Sequence, residues 1–542
     1  MKPTDEQAAI YERAERLQQG DVLNVIAFAG AGKTTTLKGI AGVRRDRGVY
    51  LAFNRANADE AKKKLALTKC TASSFHGLAY GVLRELIGSP ASLDARSVLE
   101  SNVMGQFRLP KVDGWHEYRV ASAVMRTMSA FANSAEEGFD AQHGREALVS
   151  SVGDPDFIRD REKRDEARDV IDRLSEPLAR IAEAYWIKES EAENFSYDMQ
   201  LKALDLNDSL RSKAFSIFRY LMADEAQDLN PVMRSIIQKT GLPVIAVGDP
   251  YQQIYSWRGA ENALQQLGGE NYYLTQSFRF GEDIAQVARH ILACRPDGGP
   301  RQRLIGAGTG NVKGHEGPKI ALICRSNAGV IHEALRFMKA GTKVQVDNMK
   351  EILTDVRSAQ ALHDGNLDKV TSANLKSFTS WDELCMEAEE GDGAMTRLKN
   401  IVEKQQTEQI EKLARRQAEG KDDAQVMVCT AHRSKGMEWP AVRLGGDWKD
   451  VNGLAARWMG AQKKSEKHKT LVMEEYNTLY VAMTRPILRL QGHQSLLFPK
   501  SQEEKEMEMR ERMQAEMAAS TQPEMDPEDR PVMDHATAPS FG

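Results

Sequence analysis

The chain alternates between two kinds of hydrophobic pattern. Short apolar and β-branched runs occur at "DVLNVIAF" (21–28), "GVYLAF" (48–53), "FRYLMADE" (218–225) and "LPVIAVGD" (242–249). A second group follows at "PKIALICR" (318–325), "AQVMVCTA" (424–431), "AVRLGG" (441–446) and "ILRLQGH" (487–493). Runs of this length, separated by helix-period segments, predict parallel strands covered on both faces. Two such groups predict two α/β domains.

Each group is interrupted by a charged, helix-period stretch, such as "REKRDEARDVIDRLSEPLARIAEAYW" in the first and "NIVEKQQTEQIEKLARRQAEG" in the second. The expected organisation is a first domain from residues 1–80 and 198–270, carrying a helical insert at 81–197. A second domain is expected from 271–345 and 424–497, carrying a small helical insert at 346–423. Residues 498–542 have few apolar positions and five prolines, so that end is expected to be disordered. No repeat of solenoid period is present.

Composition changes this picture little. A chain of 542 residues exceeds one ordinary core. Its 41% hydrophobic and 28% charged content is that of a globular protein, and no apolar run reaches the roughly 18–20 residues of a membrane span. The start, "MKPTDEQAAI", lacks a basic-then-apolar secretory pattern. The five cysteines are far apart and form no C-x-x-C pair, so reduced thiols and a cytoplasmic location are expected, with no membrane partner. The net charge of −5 is concentrated at the C-terminal end, where residues 501–542 hold eleven acidic and four basic side chains. The rest is close to neutral, which neither requires nor excludes a polyanionic partner.

Two motifs carry chemistry on their own. "AFAGAGKTTTLKGIA" (27–41) follows an apolar run and opens a helical pattern. Its segment Ala29, Gly30, Ala31, Gly32, Lys33, Thr34 and Thr35 has the form of a phosphate-binding loop, with Ala27 where the common pattern has its first glycine. Glycines let backbone N–H groups face phosphates at a helix N-terminus. Lys33 is expected to reach the β- and γ-phosphates, and the Thr34 hydroxyl to ligate Mg²⁺. In "LMADEAQD" (221–228) a strand ends on two carboxylates. Asp224 is expected to hold Mg²⁺ and Glu225 to orient and deprotonate an attacking water, which points to hydrolysis of a nucleoside triphosphate.

Further segments extend the pattern. "DEAQD", "GDPYQQIYSWRGA" (248–260), "LTQSFR" (274–279), "TAHRSKGMEW" (430–439) and "EEYNTLYVAMTR" (474–485) occur in the order of the superfamily 1 UvrD/Rep-like helicase motifs. The chain resembles that family, and "YYLTQSFRFGEDIAQVA" with "IAFAGAGKTTTL" is most similar to its F-box DNA helicase branch. No F-box-like segment precedes Gln7, so a ubiquitin-ligase adaptor role is not expected. The resemblance implies two RecA-like P-loop NTPase motor domains with parallel sheets, each carrying a mostly helical insert. It implies that Gln7 reads the adenine edge, Phe278 stacks on adenine and Glu438 lies near the ribose. Gln252 matches the γ-phosphate sensor, and Arg279 and Arg485 match arginines that approach the γ-phosphate from the second domain.

The resemblance also implies a track for single-stranded DNA. Tyr255 and Trp257 match base-stacking aromatics, with Arg258 beside them. Asn54, Ser74, Phe75 and His76 match the strand's path on the first domain, and Arg325, Thr430 and His432 match it on the second. The form "YSWRGA" implies 3′ to 5′ movement on single strands and at junctions with duplex. Departures are Tyr197, where relatives often have histidine, Pro486 after Arg485, and a short second insert. A helicase, a translocase that strips recombinase filaments, and a nucleotide-gated binding switch all remain open, and a fused nuclease is disfavoured. A monomer in solution is expected, with the acidic end a candidate arm for replication or recombination proteins.

Overall fold

The computed structural model describes residues 2–498, except 88–97, 157, 159–160, 256–261, 311, 313–316, 373–374, 376–377, 379, 390–392, 418–422 and 463–465. Trp257, Arg258 and the expected disordered end beyond residue 498 therefore lie outside the described residues.

Thirteen strands are described: β1 (Val22–Ala27), β2 (Gly48–Ala52), β3 (Cys70–Ser74), β4 (Tyr220–Asp224), β5 (Val244–Gly248), β6 (Glu270–Leu274), β7 (Gln276–Ser277), β8 (Ile305–Gly306), β9 (Ile320–Cys324), β10 (Val344–Val346), β11 (Val426–Thr430), β12 (Trp439–Leu444) and β13 (Pro486–Gln491). Six form one sheet in the order β3-β2-β4-β5-β1-β6, and five form another in the order β10-β11-β9-β12-β13. All pairings within both sheets are parallel. These are two parallel α/β units, as the run pattern predicts, and they are consistent with the RecA-like domains that the resemblance implies.

The burial follows from the runs. Every residue of β2, β4 and β5 is buried, as central strands covered on both faces require. On β1, Leu23, Val25 and Ala27 share one core with Ile10 and Leu37, while Asn24 and Ile26 belong to the other face. In the second sheet, Ala321 and Ile323 of β9 face one core, and Leu322 and Cys324 face another. The first of these cores also contains Phe28 and Ala29, so the phosphate loop of one unit is packed into the apolar interior of the other.

Helices Glu117–Asn133, Ala141–Val152 and Arg161–Glu191 pack around Val120, Leu148, Ile171 and Leu178. A buried charge cluster fastens this bundle to the first sheet's helices. Lys202, wholly buried, donates to the carbonyls of Ser134 (3.0 Å) and Glu136 (2.6 Å) and to Asp205 (3.1 Å). Asp205 in turn accepts from Ser235 (2.6 Å) and Lys239 (3.0 Å). Burial pulls the Lys202 pKa down, against the attraction of Asp205. Helices Met349–His363, Trp381–Glu389, Gly393–Glu403 and Thr407–Arg416 share a core with β9, β10 and β11.

Replacing one member of a buried ion pair strands the other, at a cost of about 3–5 kcal/mol. Lys202→Met leaves Asp205 with Lys239 and Ser235, so it should lower the stability of the first unit by less than that, about 1–3 kcal/mol in urea unfolding.

Candidate nucleotide and nucleic-acid site

The carboxyl ends of the adjacent strands β4, β5 and β1 carry the nucleotide-type chemistry, where open α/β sheets bind ligands. After β1 the chain turns through Gly30 (φ 75°) and Gly32 (φ 79°) into the helix Lys33–Val43. Both glycines occupy the left-handed region that disfavours a Cβ. At Gly30 a Cβ would also lie 2.5 Å from Ser277 Oγ and 2.6 Å from Arg279 Cβ. The loop is thus pressed against the segment that carries Phe278 and Arg279, and the Phe278 amide donates to the Gly30 carbonyl (2.9 Å).

Lys33 Nζ donates to both Glu225 carboxylate oxygens, at 2.8 and 2.9 Å. Burial alone would raise Glu225 and lower Lys33. Their mutual attraction, with Lys435 acting on Glu225, instead holds Glu225 down at about 2 and Lys33 above its ordinary value. Glu225 itself has φ 51°, an uncommon backbone state for a non-glycine residue. Asp224 accepts from the Glu225 amide (2.9 Å) and from the Tyr50 hydroxyl. Burial and the Glu225 charge hold Asp224 above the usual carboxylate range. Thr34 is half-buried at the start of the helix and Thr35 is exposed. A hydroxyl and a carboxylate are hard oxygen donors, a set that suits Mg²⁺.

The expected purine-side residues also converge. Gln7 is 6% exposed, its amide donating to Thr36 Oγ1 (3.1 Å) and its carbonyl accepting from the Thr4 amide (3.1 Å). A Cβ on Gly32 would lie 3.6 Å from Gln7 and 3.7 Å from the Phe278 ring. That ring is 45% exposed, so a flat apolar face is open beside the loop.

From the second unit, Arg485 is 1% exposed and donates to the Gln252 side-chain oxygen at 3.1 Å. Burial and the Arg279 charge lower its pKa to about 9, so it stays charged at neutral pH. Arg279 pairs with Glu438 (2.9 Å) and donates to the Thr484 carbonyl (2.9 Å). Glu438, expected near a ribose, is thus beside an arginine as well.

The track residues divide. Tyr255 stacks on Phe53 with centroids 6.3 Å apart and planes 8° apart, and donates to the His432 carbonyl (3.2 Å). Lys435 Nζ lies 4.9 Å over its ring and donates to the Gln252 carbonyl (2.6 Å) and to Asp228 (2.5 Å). Burial, with the charge of Arg325, lowers His432 to about 4, so it is neutral at physiological pH. Arg325 is held by Glu475 in a bidentate pair at 2.7 and 2.8 Å. Thr430 caps the short helix Ala431–Ser434, and Asn54 caps Arg55–Leu65. His76 lies 3.5 Å from Asp198. Phe75 is 1% exposed and packs with Val49 and Leu51, so its ring faces the core, whereas Asn54 is exposed.

Four residues that complete this arrangement have no local signal of their own. Tyr480, wholly buried, accepts from the Ala29 amide (3.2 Å) and donates to Asp249 (3.2 Å). Gln227 links Glu225 (2.6 Å) to the Asp249 amide (3.0 Å). Tyr50 meets Asp224, and Phe53 meets Tyr255. Each lies inside an apolar run or a motif whose other members draw attention, and each acts on a residue distant in sequence.

Residues 11–268 match the UvrD/REP helicase N-terminal domain, and residues 331–491 match the UvrD-like helicase C-terminal domain. F-box DNA helicase 1 of Gallus gallus is 28% identical over 92% of this chain and 49% of its own length. F-box DNA helicase protein 1 of Schizosaccharomyces pombe is 28% identical over 90% of this chain and 57% of its own length. DNA helicase IV of Escherichia coli is 24% identical over 51% of this chain and 45% of its own. The chain thus spans about half the length of these relatives. With the phosphate loop, the paired carboxylates and the two facing arginines assembled between two parallel sheets, the chain belongs to the UvrD-like helicase family.

Proposed function

We propose that this chain is an ATP-driven DNA helicase that moves 3′ to 5′ along single-stranded DNA. The observation that carries the reading is the continuity of one short segment. Gln252 meets Arg485 of the second unit, and three residues on Tyr255 stacks on Phe53 and touches His432. Nucleotide chemistry and an aromatic platform for bases are therefore joined by a few bonds of backbone, between two units that both contribute.

The proposed division of labour follows the geometry. The loop amides and Lys33 bind the phosphates, and Lys33 exchanges its Glu225 partner for them. Mg²⁺ held by Thr34 and Asp224 would neutralise phosphate charge as the β–γ bond breaks. Glu225, freed from Lys33, takes the proton of the attacking water. Arg279 and Arg485 stabilise charge on the transferred group as arginine fingers do. Gln7 and Phe278 hold the base. Closure of the two units around ATP and reopening after hydrolysis would move Tyr255 relative to Arg325, Thr430 and His432, and so shift the strand. Asn54 and His76 would guide it on the first unit, and Trp257 and Arg258 would extend the platform. The expected domain limits, 1–80 with 198–270 and 271–345 with 424–497, are part of this proposal, with the boundary at 270 moved past β6 (Glu270–Leu274), which pairs with β1 in the first sheet.

Glu225→Gln should lower DNA-stimulated ATP turnover by about 10²–10⁴-fold, the usual contribution of a general base, while ATP binding persists in equilibrium titration. Wild-type turnover that does not rise with single-stranded DNA would exclude a motor. Tyr255→Ala should weaken binding of a fluorescent oligo(dT) by about 1–3 kcal/mol, the worth of one base stack. In strand-displacement assays, partial duplexes with 3′ tails should unwind and those with 5′ tails should not, and the reverse result would overturn the polarity.

A further inference from the structure

We infer that Tyr480 is a positioning residue that carries the nucleotide state of the phosphate loop to the DNA-side segment through Asp249. The inference rests on the proposed motor reading and adds to it a specific device.

The tyrosine belongs to the helix Glu466–Met483 of the second unit, yet both partners of its hydroxyl belong to the first. Its oxygen accepts from the Ala29 amide, at the entrance of the phosphate loop, and its proton goes to Asp249 Oδ2. Burial and the Asp249 charge push its pKa well above the ordinary tyrosine value, so the hydroxyl stays a donor. A wholly buried phenol must find partners, and among the described residues this one finds them across the interface.

Asp249 is 0% exposed and fully committed. Oδ1 accepts from the Tyr251 amide (3.1 Å), and Oδ2 accepts from Gln252 Nε2 (2.7 Å) as well as from Tyr480. Its own amide donates to Gln227, which binds Glu225. The position of this carboxylate therefore sets the amide of Gln252, whose oxygen receives Arg485. Two more contacts carry the same displacement onward. The Gln252 carbonyl accepts from Lys435, over the ring of Tyr255, and the Gln253 carbonyl accepts from Asn477 (2.9 Å).

The hydroxyl is separable from the ring. Tyr480 and Tyr251 pack edge to face at 6.4 Å, and Tyr251 stacks on Phe28 at 6.0 Å. Phenylalanine would keep these contacts and remove only the link between Ala29 and Asp249. A loop whose amides turn to phosphate must readjust the Ala29 donor. In a close-packed interior that readjustment passes to the partner group and is not absorbed locally.

The test uses the full chain with Tyr480→Phe, reading oligo(dT) affinity by anisotropy with and without a non-hydrolysable ATP analogue, and steady-state ATP turnover. Affinity without nucleotide should stay within about twofold of wild type, while the nucleotide-dependent change in affinity should shrink by about tenfold, within the range of site-to-site couplings. DNA-stimulated kcat should fall by about tenfold while KM for ATP moves less than about threefold. Asp249→Asn should give the same loss of coupling, and the double variant should be no worse than the worse single one, as expected of residues in one chain of contacts. Thermal unfolding reports folding, and if Tyr480→Phe fails to fold, Asp249→Asn carries the test. Wild-type coupling in a folded Tyr480→Phe, or an equal loss of affinity with and without nucleotide, overturns the inference. A wild type without DNA stimulation overturns the motor reading and this role with it.

Discussion

Burial of charge between the two sheet units is the constraint on which the rest depends. Arg485 from one side and Asp249 from the other are at most 1% exposed, and each is satisfied only with help from the opposite unit. An unpaired buried charge costs several kcal/mol, so the units cannot drift apart slightly without loss. The apolar counterpart is Phe28, which sits in the second unit's core and couples loop and interface mechanically.

A second consequence concerns the cations proposed to meet ligands. Lys33 is paired with Glu225, Arg279 with Glu438, and Arg325 with Glu475. Pairs that keep partial contact with water hold their members in place with little net stabilisation. A polyphosphate or a nucleic-acid backbone carries several charges at once and can replace a single carboxylate on each cation. The carboxylate so released is not idle in the case of Glu225, since it is the proposed base. Binding and activation of that base are then the same exchange of partners.

The strands at sheet centres were legible in the sequence because burial on both faces leaves an unbroken apolar run. β1, β2, β4, β5, β9 and β11 all fall within such runs, while β12 begins two residues before its run at 441–446. In the two large sheets the strands without that signal are β3 ("CTASS"), β6 ("ENYYL") and β10 ("VQV"), each at a sheet edge, where one neighbour is missing and polar residues are tolerated; the two-residue strands β7 and β8 of the small sheet lack it as well. The phosphate loop and the acidic pair were equally legible, since their geometry depends on residues adjacent in the chain.

The contacts between distant segments are a different matter. Tyr480 and Asp249 are 231 positions apart, and nothing local to either marks the other. Phe75 has the expected spacing for the strand's path, yet the turn from β3 into the helix Phe75–Ile87 directs its ring into the core. Sequence therefore determined which groups this chain brings to a nucleotide, through local spacing and strand-end position. Only the tertiary structure decided which of them are wired together, because that depends on how two separately formed sheets close over the same buried charges.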